Sequence, residues 1–353
     1  GRVVAASVNM DVIAVVSANE SGSVKIKSKG YPMDTVELSD LDAKASEENK
    51  AISLIRGTLS RFVQKGHAVG SFDAYTTSNV LKGSGLSSSA AFEVLVGTIL
   101  SHLYNEGSVD AVEIAKYAQY AENVYFGKPS GLMDQMASSV GSVITIDFAD
   151  TENPIIEKID FDMEAMGCAL CIVDVGGNHA DLTHEYAAIP TEMKEVAGFF
   201  GRDVLRGVSY RELIANASRI RAQFGDRAFL RAVHFVKENE RVGAIVNALR
   251  DKDYSCFLKL VTQSGDSSYR YLQNVYAASD PKEQSMAVAL EMAEDLLGGR
   301  GAYRVHGGGF GGTTQNFVPF DLLDQFRSGI ESVFGEGSCH VLSIRPLGGV
   351  QVL

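Results

Sequence analysis

The stretch that decides the fold is Leu81-Lys-Gly-Ser-Gly-Leu-Ser-Ser-Ser-Ala-Ala91. Its glycines permit backbone conformations that other residues avoid, and they let a ligand approach the main chain closely. Its serines open an apolar segment whose pattern predicts a helix from Ser88 to Tyr104. Unpaired N–H groups and the positive end of the helix dipole would then face residues 83–89, so the stretch predicts an anion site, with Lys82 adding a local charge.

The same residues also fit a simpler structure, because a glycine-rich turn followed by a serine N-cap is common in proteins. Within this stretch there is neither the G-x-x-x-x-G-K-[ST] pattern of P-loops nor the G-x-G-x-x-G pattern of dinucleotide-binding folds. On these residues alone, phosphate binding and a plain capped turn both stay open.

A second feature is a pair of carboxylates on either side of a loop that contains glycine and proline. Glu122 lies near the end of an apolar helix predicted over residues 110–126, and Asp134 lies in Gly131-Leu-Met-Asp-Gln-Met-Ala137. Such carboxylates can act as a general base or as oxygen ligands for Mg²⁺. An exposed glutamate at a helix end and an N-capping aspartate are the alternative.

A third feature is Val305-His-Gly-Gly-Gly-Phe-Gly-Gly-Thr-Thr314. So many glycines cannot form the interior of a stable helix or strand. They predict a backbone nest or a tight loop packed against another segment of the chain. A plain flexible loop is the alternative.

Composition limits the classes of function. The chain has 353 residues, and its 32 Lys and Arg against 44 Asp and Glu give a net charge of −12. The field of so acidic a protein repels phosphate, which argues against nucleic acid or an anionic membrane as a partner. Four cysteines are too few for a disulfide framework, and the sequence contains no apolar run of about 18 residues. We therefore expect a cytoplasmic protein, with a monomer slightly favoured.

The order of elements predicts an α+β fold, because strands and helices mix without strict alternation. Two β-branched segments, residues 3–17 and 22–28, predict a hairpin. At roughly 150 residues per domain the length predicts about two domains. The turn cluster at residues 150–154 sets their limits at 1–153 and 154–353, and the last strand either stays in the second domain or returns to the first.

The three features, in this order, resemble the GHMP small-molecule kinases. The first resembles their central phosphate-binding motif, and the third resembles their C-terminal glycine motif. The second, from Ala121 through Asp134 to Gln135, resembles the galactokinase signature around its catalytic aspartate. The resemblance implies the two-domain GHMP kinase fold, with the active site in the cleft between the domains.

The resemblance also implies residue roles. Asp134 would be catalytic and would face the sugar C1 hydroxyl, with Gly131 and Tyr186 contacting the sugar. Ser89 and Glu122 would coordinate Mg²⁺. The nucleotide phosphates would lie on the first motif, comprising Lys82, Gly83, Ser84, Gly85, Leu86, Ser87, Ser88 and Ser89. The glycine motif that buttresses the site would comprise Gly307, Gly308, Gly309, Gly311 and Gly312.

The implied activity is Mg²⁺-dependent transfer of the ATP γ-phosphoryl group to the anomeric hydroxyl of galactose. The partners are then ATP and a sugar, without nucleic acid or membrane. Two alternatives stay open: a kinase of another sugar such as N-acetylgalactosamine, and a non-catalytic regulator of galactokinase descent that binds sugar and ATP. The family also has an N-terminal motif with an Arg followed by Glu-His-Thr-Asp, which this chain does not contain and which we expect upstream of Gly1.

Overall fold

The computed structural model describes residues 1–80, 86–176 and 182–353. The described residues divide into two compact units. The N-terminal unit comprises residues 5–80, 86–144 and 344–353, and the C-terminal unit comprises residues 1–4 and 145–343 apart from the undescribed ones. The domain limit at residue 153 stays a prediction.

A four-stranded sheet forms one layer of the N-terminal unit, with order β2-β5-β3-β4. Its strands are β2 (Val12–Ala18), β3 (Ser23–Ser28), β4 (Met33–Glu37) and β5 (Phe72–Ser78). The predicted hairpin of residues 3–17 with 22–28 is wrong, because β5 lies between β2 and β3, antiparallel to the first and parallel to the second. Alternate residues of β5 are buried, including Phe72 and Ala74, as suits a central strand with one face on the core.

Helices complete this unit, and the first two contact the sheet. They are α1 (Ala51–Gln64), α2 (Ser88–Tyr104), α3 (Ala111–Tyr120) and α4 (Met133–Val140), with a π-helical turn at Ala121–Phe126 directly after α3 and a 3₁₀ turn at Ala45–Glu47. The predicted helix over residues 88–104 is confirmed. Buried residues of α2 such as Val96 and Leu100 join the core that also contains Phe62 and Phe72. The buried, apolar part of α2 therefore holds the start of the same helix in place.

A three-stranded sheet has the order β1-β6-β7. It contains β1 (Arg2–Ala6), β6 (Val143–Asp147) and β7 (Ile155–Ile159), and the division between the units passes through β1 and β6. The C-terminal residues 344–353 belong to the N-terminal unit, where Ile344 forms a bridge with Val8 and the Arg345 carbonyl accepts from the Ser142 N–H at 2.7 Å.

The C-terminal unit contains an antiparallel sheet of order β11-β8-β10-β9. Its strands are β8 (Cys168–Asp174), β9 (Ala302–Val305), β10 (Thr313–Pro319) and β11 (Cys339–Leu342). The last strand, β11, pairs with β8 inside this unit, and only the residues after it group with the N-terminal unit. All four cysteines are free, and Cys168 and Cys171 are buried in β8.

Helices complete the C-terminal unit. They are α5 (Met163–Met166), α6 (Thr183–Phe199), α7 (Tyr210–Ala215), α8 (Ala217–Arg250), α9 (Tyr254–Ser267), α10 (Ser285–Leu297) and α11 (Leu323–Phe334), with a π-helical turn at Ser268–Leu272 and a 3₁₀ turn at Phe320–Leu322. Gly225 breaks the regular geometry of α8. In the described parts of the chain, no helix combines the length and apolar character needed to cross a bilayer.

Candidate active site

The start of α2 is the first part of the site. Ser87 precedes the helix with a left-handed backbone, φ +55° and ψ +59°, and its side chain does not cap the helix. Residues other than glycine rarely adopt this conformation, and such strain is typical of functional sites. The hydroxyl of Ser87 instead donates to a carboxylate oxygen of Asp134. The helix start is therefore linked directly to the second sequence motif.

Asp134 is the second residue of α4 and is exposed to solvent. The residue that caps this helix is Leu132, so Asp134 is not the N-cap that the alternative interpretation required. Gly131 is also exposed, and apart from its two chain neighbours no described residue has an atom within 4 Å of the position that a Cβ would take there. The Asp134 carboxylate and the open surface beside it can therefore face a ligand.

Glu122 lies in the π-helical turn and is only 2% exposed, so the alternative of an exposed helix-end glutamate is wrong. Its Oε1 accepts hydrogen bonds from the Ser89 hydroxyl at 3.0 Å and from the Lys128 ammonium at 3.2 Å. Burial opposes its ionisation, but hydrogen bonds from Ser130, Ser89 and Lys128 outweigh burial and lower the pKa of Glu122. A charged carboxylate is thus held beside the start of α2.

Behind Glu122 lies a layer of buried polar side chains. Gln135 Nε2 donates to Glu122 Oε2 at 2.7 Å and to Glu93 Oε2 at 3.2 Å. Glu93 is fully buried in α2, and Gln135 is 1% exposed. Burial and the charge of Glu122 raise the pKa of Glu93 to about 8. The two motifs are therefore joined by a buried network as well as at their surface.

The third motif and Tyr186 lie in the C-terminal unit and form a second cluster. The Tyr186 hydroxyl donates to the Gly309 carbonyl at 2.7 Å, and its ring packs edge-on against Phe310. The Phe310 N–H donates to the Asn274 carbonyl at 2.6 Å, and the Asn274 amide donates to the Gly308 carbonyl at 3.1 Å. These contacts contradict a plain flexible loop and agree with a tight loop packed against other segments.

Lys82, Gly83, Ser84 and Gly85 lie outside the described residues. Of the other residues in the first motif, Leu86, Ser87, Ser88 and Ser89 are half-buried at the start of α2.

Sequence reasoning missed three residues of the site: Glu93, Lys128 and Gln135. Lys128 follows Gly127 in the glycine- and proline-containing loop, six residues after Glu122. Its position in the sequence could therefore have indicated a contact with Glu122. Gln135 sits beside Asp134 in the quoted motif, and Glu93 is a lone carboxylate in an apolar helix. Their roles depend on contacts between segments that sequence spacing does not give.

The residues present fit a divalent cation. Ser89 Oγ and Glu122 Oε1 are oxygen donors 3.0 Å apart, and the carboxylate is kept ionised. Mg²⁺ prefers oxygen ligands and commonly takes one or two from the protein, with the rest from water and substrate phosphates. A site of this composition is therefore suited to magnesium shared with a nucleotide.

Comparison with known proteins agrees with this geometry. The family described as GHMP kinases N terminal domain matches residues 53–142, which span α2, the π-helical turn and α4. The crystal structure of Lactococcus lactis galactokinase complexed with galactose superposes with a TM-score of 0.82 at 24% identity, covering 99% of this chain and 89% of that one. A mevalonate kinase superposes with a TM-score of 0.65 at 14% identity, over 98% of this chain and 92% of that one. The fold is that of the GHMP kinases.

Proteins related in sequence identify the family within the GHMP kinase fold. A galactokinase of Streptomyces coelicolor is 32% identical over 322 residues, which are 91% of this chain and 80% of that protein. A galactokinase of Actinobacillus pleuropneumoniae serotype 3 is 30% identical over 307 residues, 84% of this chain and 75% of that protein. The chain belongs to the galactokinase family.

Proposed function

We propose that this protein is a galactokinase, which transfers the γ-phosphoryl group of ATP to the anomeric hydroxyl of galactose with Mg²⁺. The observation that carries the proposal is the hydrogen bond between Ser87 and Asp134, because it joins the phosphate-binding motif to the carboxylate that would take the substrate proton. Family membership supports galactose as the acceptor in preference to N-acetylgalactosamine or a non-catalytic role.

Phosphoryl transfer depends on positioning and on charge stabilisation more than on covalent help from the protein. The N–H groups at the start of α2 would hold the phosphates of ATP, with the positive end of the helix dipole facing them. Ser89 and Glu122 would hold Mg²⁺, which when bound offsets the negative charge of the phosphates. This local arrangement allows a protein of net charge −12 to bind ATP.

Asp134 would accept the proton of the anomeric hydroxyl. As the sugar oxygen forms its bond to the γ-phosphorus, the bond between that phosphorus and the leaving oxygen of ADP breaks, and the proton passes to the carboxylate. A sugar hydroxyl is a weak acid, so the proton transfer comes late in the step. The hydroxyl of Ser87 would keep the carboxylate oriented until then.

Gly131 and Tyr186 would contact the sugar, and the glycine motif would support the site. In the C-terminal unit the Tyr186 hydroxyl is bound to the Gly309 carbonyl, so its ring is held in place by the motif. The main-chain atoms of Gly307, Gly308, Gly309, Gly311 and Gly312 would then set the position of Tyr186 toward the substrate.

The variant Asp134→Asn tests the assignment of the proton acceptor. The amide oxygen can still accept from Ser87, so the fold and ATP binding should survive while turnover falls by roughly 10²- to 10⁴-fold. Steady-state rates and calorimetric ATP affinity measure the two effects separately. Asp110→Asn is the matched control, because Asp110 caps α3 through Oδ1, which asparagine can replace. Near-normal turnover of Asp134→Asn would remove Asp134 from the mechanism.

A further inference from the structure

A buried carboxyl group lies behind Glu122 in the candidate active site. Glu93 is fully buried, and α2 around it is apolar. Among the described residues, no lysine, arginine or histidine forms an ion pair with it. An ionised carboxylate in this position would carry a large desolvation cost. The surroundings of Glu93 therefore favour its neutral form.

The hydrogen bonds around Gln135 lead to the same conclusion. Both N–H bonds of its amide are used, one on Glu122 Oε2 and one on Glu93 Oε2. Two buried oxygens then have no hydrogen-bond partner among the residues that the structure describes, Gln135 Oε1 and Glu93 Oε1. An ionised Glu93 offers only acceptors, whereas a protonated Glu93 has one O–H donor. One proton on Glu93 Oε1 directed at Gln135 Oε1 would satisfy both oxygens and close a paired acid–amide ring.

This ring would fix which way the Gln135 amide points. With its oxygen bound to the Glu93 hydroxyl, the amide nitrogen must face the carboxylate of Glu122. Glu122 then divides its oxygens, with Oε2 tied inward to Gln135 and Oε1 facing Ser89 and Lys128. Oε1 is the oxygen beside the start of α2, where the nucleotide phosphates would lie.

We propose that Glu93, as a neutral carboxylic acid, is a positioning residue that acts through Gln135 to hold the Glu122 carboxylate toward the magnesium–nucleotide site. The inference rests on the proposed function, because Glu122 is a metal ligand only under that proposal. The raised pKa of Glu93, about 8 through burial and the charge of Glu122, is consistent with it. Residues that hydrogen-bond to a metal ligand and orient it typically change the metal affinity by roughly 10- to 100-fold when they are removed.

The test is calorimetric binding of a non-hydrolysable ATP analogue as a function of Mg²⁺ concentration. Glu93→Ala and Gln135→Met should weaken the Mg²⁺-dependent part of binding by roughly 10-fold or more, and should leave binding without Mg²⁺ little changed. Glu93→Gln should restore Mg²⁺ dependence to within about threefold, because its amide can both accept from and donate to Gln135.

Thr98→Val is the matched control. Thr98 is buried on the same helix, and its hydroxyl donates to the Val94 carbonyl at 2.8 Å. This variant changes a buried polar group of α2 without touching the network, so it should leave the Mg²⁺ titration as in the parent protein. A second readout is infrared spectroscopy, where the difference between parent and Glu93→Gln should show the carbonyl stretch of a protonated carboxylic acid at neutral pH.

Three results would overturn the proposal: an unchanged Mg²⁺ titration in Gln135→Met, a loss in Glu93→Gln as large as in Glu93→Ala, or no protonated-acid band. If Glu93→Ala does not fold, Glu93→Gln and Gln135→Met still decide the question. Ser89→Ala and Glu122→Ala serve as references. If these two also leave the titration unchanged, the proposed metal site itself fails. If they shift it and the Glu93 and Gln135 variants do not, only the positioning role fails.

Discussion

At the scale of single residues, Glu122 shows how a carboxylate can stay ionised although it is buried. Its two oxygens receive hydrogen bonds from Ser89, Lys128 and Gln135, which come from three different segments of the chain. Donors of this kind stabilise the ionised form of a carboxylate. Glu93 is fully buried and accepts a hydrogen bond from Gln135, and burial together with the charge of Glu122 raises its pKa to about 8. The pKa values of these two glutamates of one network are thus shifted in opposite directions, because burial dominates at Glu93 and donors outweigh it at Glu122.

The raised pKa of Glu93 predicts a pH dependence of stability. Its folded-state pKa of about 8 lies above its ordinary value of about 4.5, so the folded state holds this proton over that range while the unfolded state releases it. The free energy of unfolding should therefore fall as pH rises from about 5 to about 8, relative to Glu93→Gln, in which the group is absent.

Urea unfolding of both proteins across this pH range, without nucleotide or Mg²⁺, measures the difference. The neighbouring groups Glu122, Lys128, Asp134 and Gln135 are present in both proteins, so their contributions to the difference largely cancel. A difference in stability that stays constant with pH would show that Glu93 does not carry the proton.

Sequence reasoning found the residues that carry recognisable patterns and missed those whose role comes from contact. Ser89, Glu122 and Asp134 stand in motifs, and the structure brings them together around the start of α2. Glu93 and Gln135 could not be assigned in this way. A glutamate in an apolar helix is equally compatible with exposure, and only tertiary packing shows that it is fully buried.

At the scale of elements, the predictions succeeded where the local pattern sets the structure. The helix α2 begins at Ser88 and ends at Tyr104 as predicted, since its apolar run and serine start are local signals. The hairpin of β2 with β3 failed, because β5 arrives from beyond α1 and pairs with both. Sequential strands are neighbours only about two-thirds of the time. Strand order depends on such long-range pairing and is not visible in a window of residues.

The glycine motif is an element whose geometry requires glycine at a particular position. Gly309 has φ +83°, and a Cβ there would lie 1.9 Å from the Asn274 carbonyl oxygen. Gly307 has a similar φ of +65°, but outside its chain neighbours no atom of the described chain lies within 4 Å of its Cβ position. The two glycines therefore separate the cost of the backbone conformation from the cost of steric overlap.

We predict that Gly309→Ala destabilises the protein far more than Gly307→Ala. The left-handed conformation alone costs roughly 1–2 kcal/mol for a residue with a Cβ, and overlap with a fixed backbone adds about 1–3 kcal/mol. Chemical denaturation of the two variants measures these terms. Equal losses of stability would mean that Asn274 does not hold the loop as described.

At the scale of the whole molecule, the net charge and the fold together indicate how a phosphate group could be bound. A net charge of −12 disfavours phosphate at long range, so under the proposed function ATP binding would depend on local donors and a metal ion. The N–H groups at the start of α2 would be such donors. The buried, apolar remainder of α2 stabilises this helix start, and the hydrogen bond between Ser87 and Asp134 links it to α4. Family membership and this arrangement together favour a galactose kinase.

The most direct test of the central claim is phosphorus NMR of the protein incubated with ATP, Mg²⁺ and galactose. We expect galactose 1-phosphate and ADP to form in equal amounts, with no product when Mg²⁺ is removed. Parallel samples with N-acetylgalactosamine, glucose and arabinose should give far slower phosphorylation. ATP consumption without a sugar phosphate, or faster phosphorylation of N-acetylgalactosamine than of galactose, would contradict the assignment.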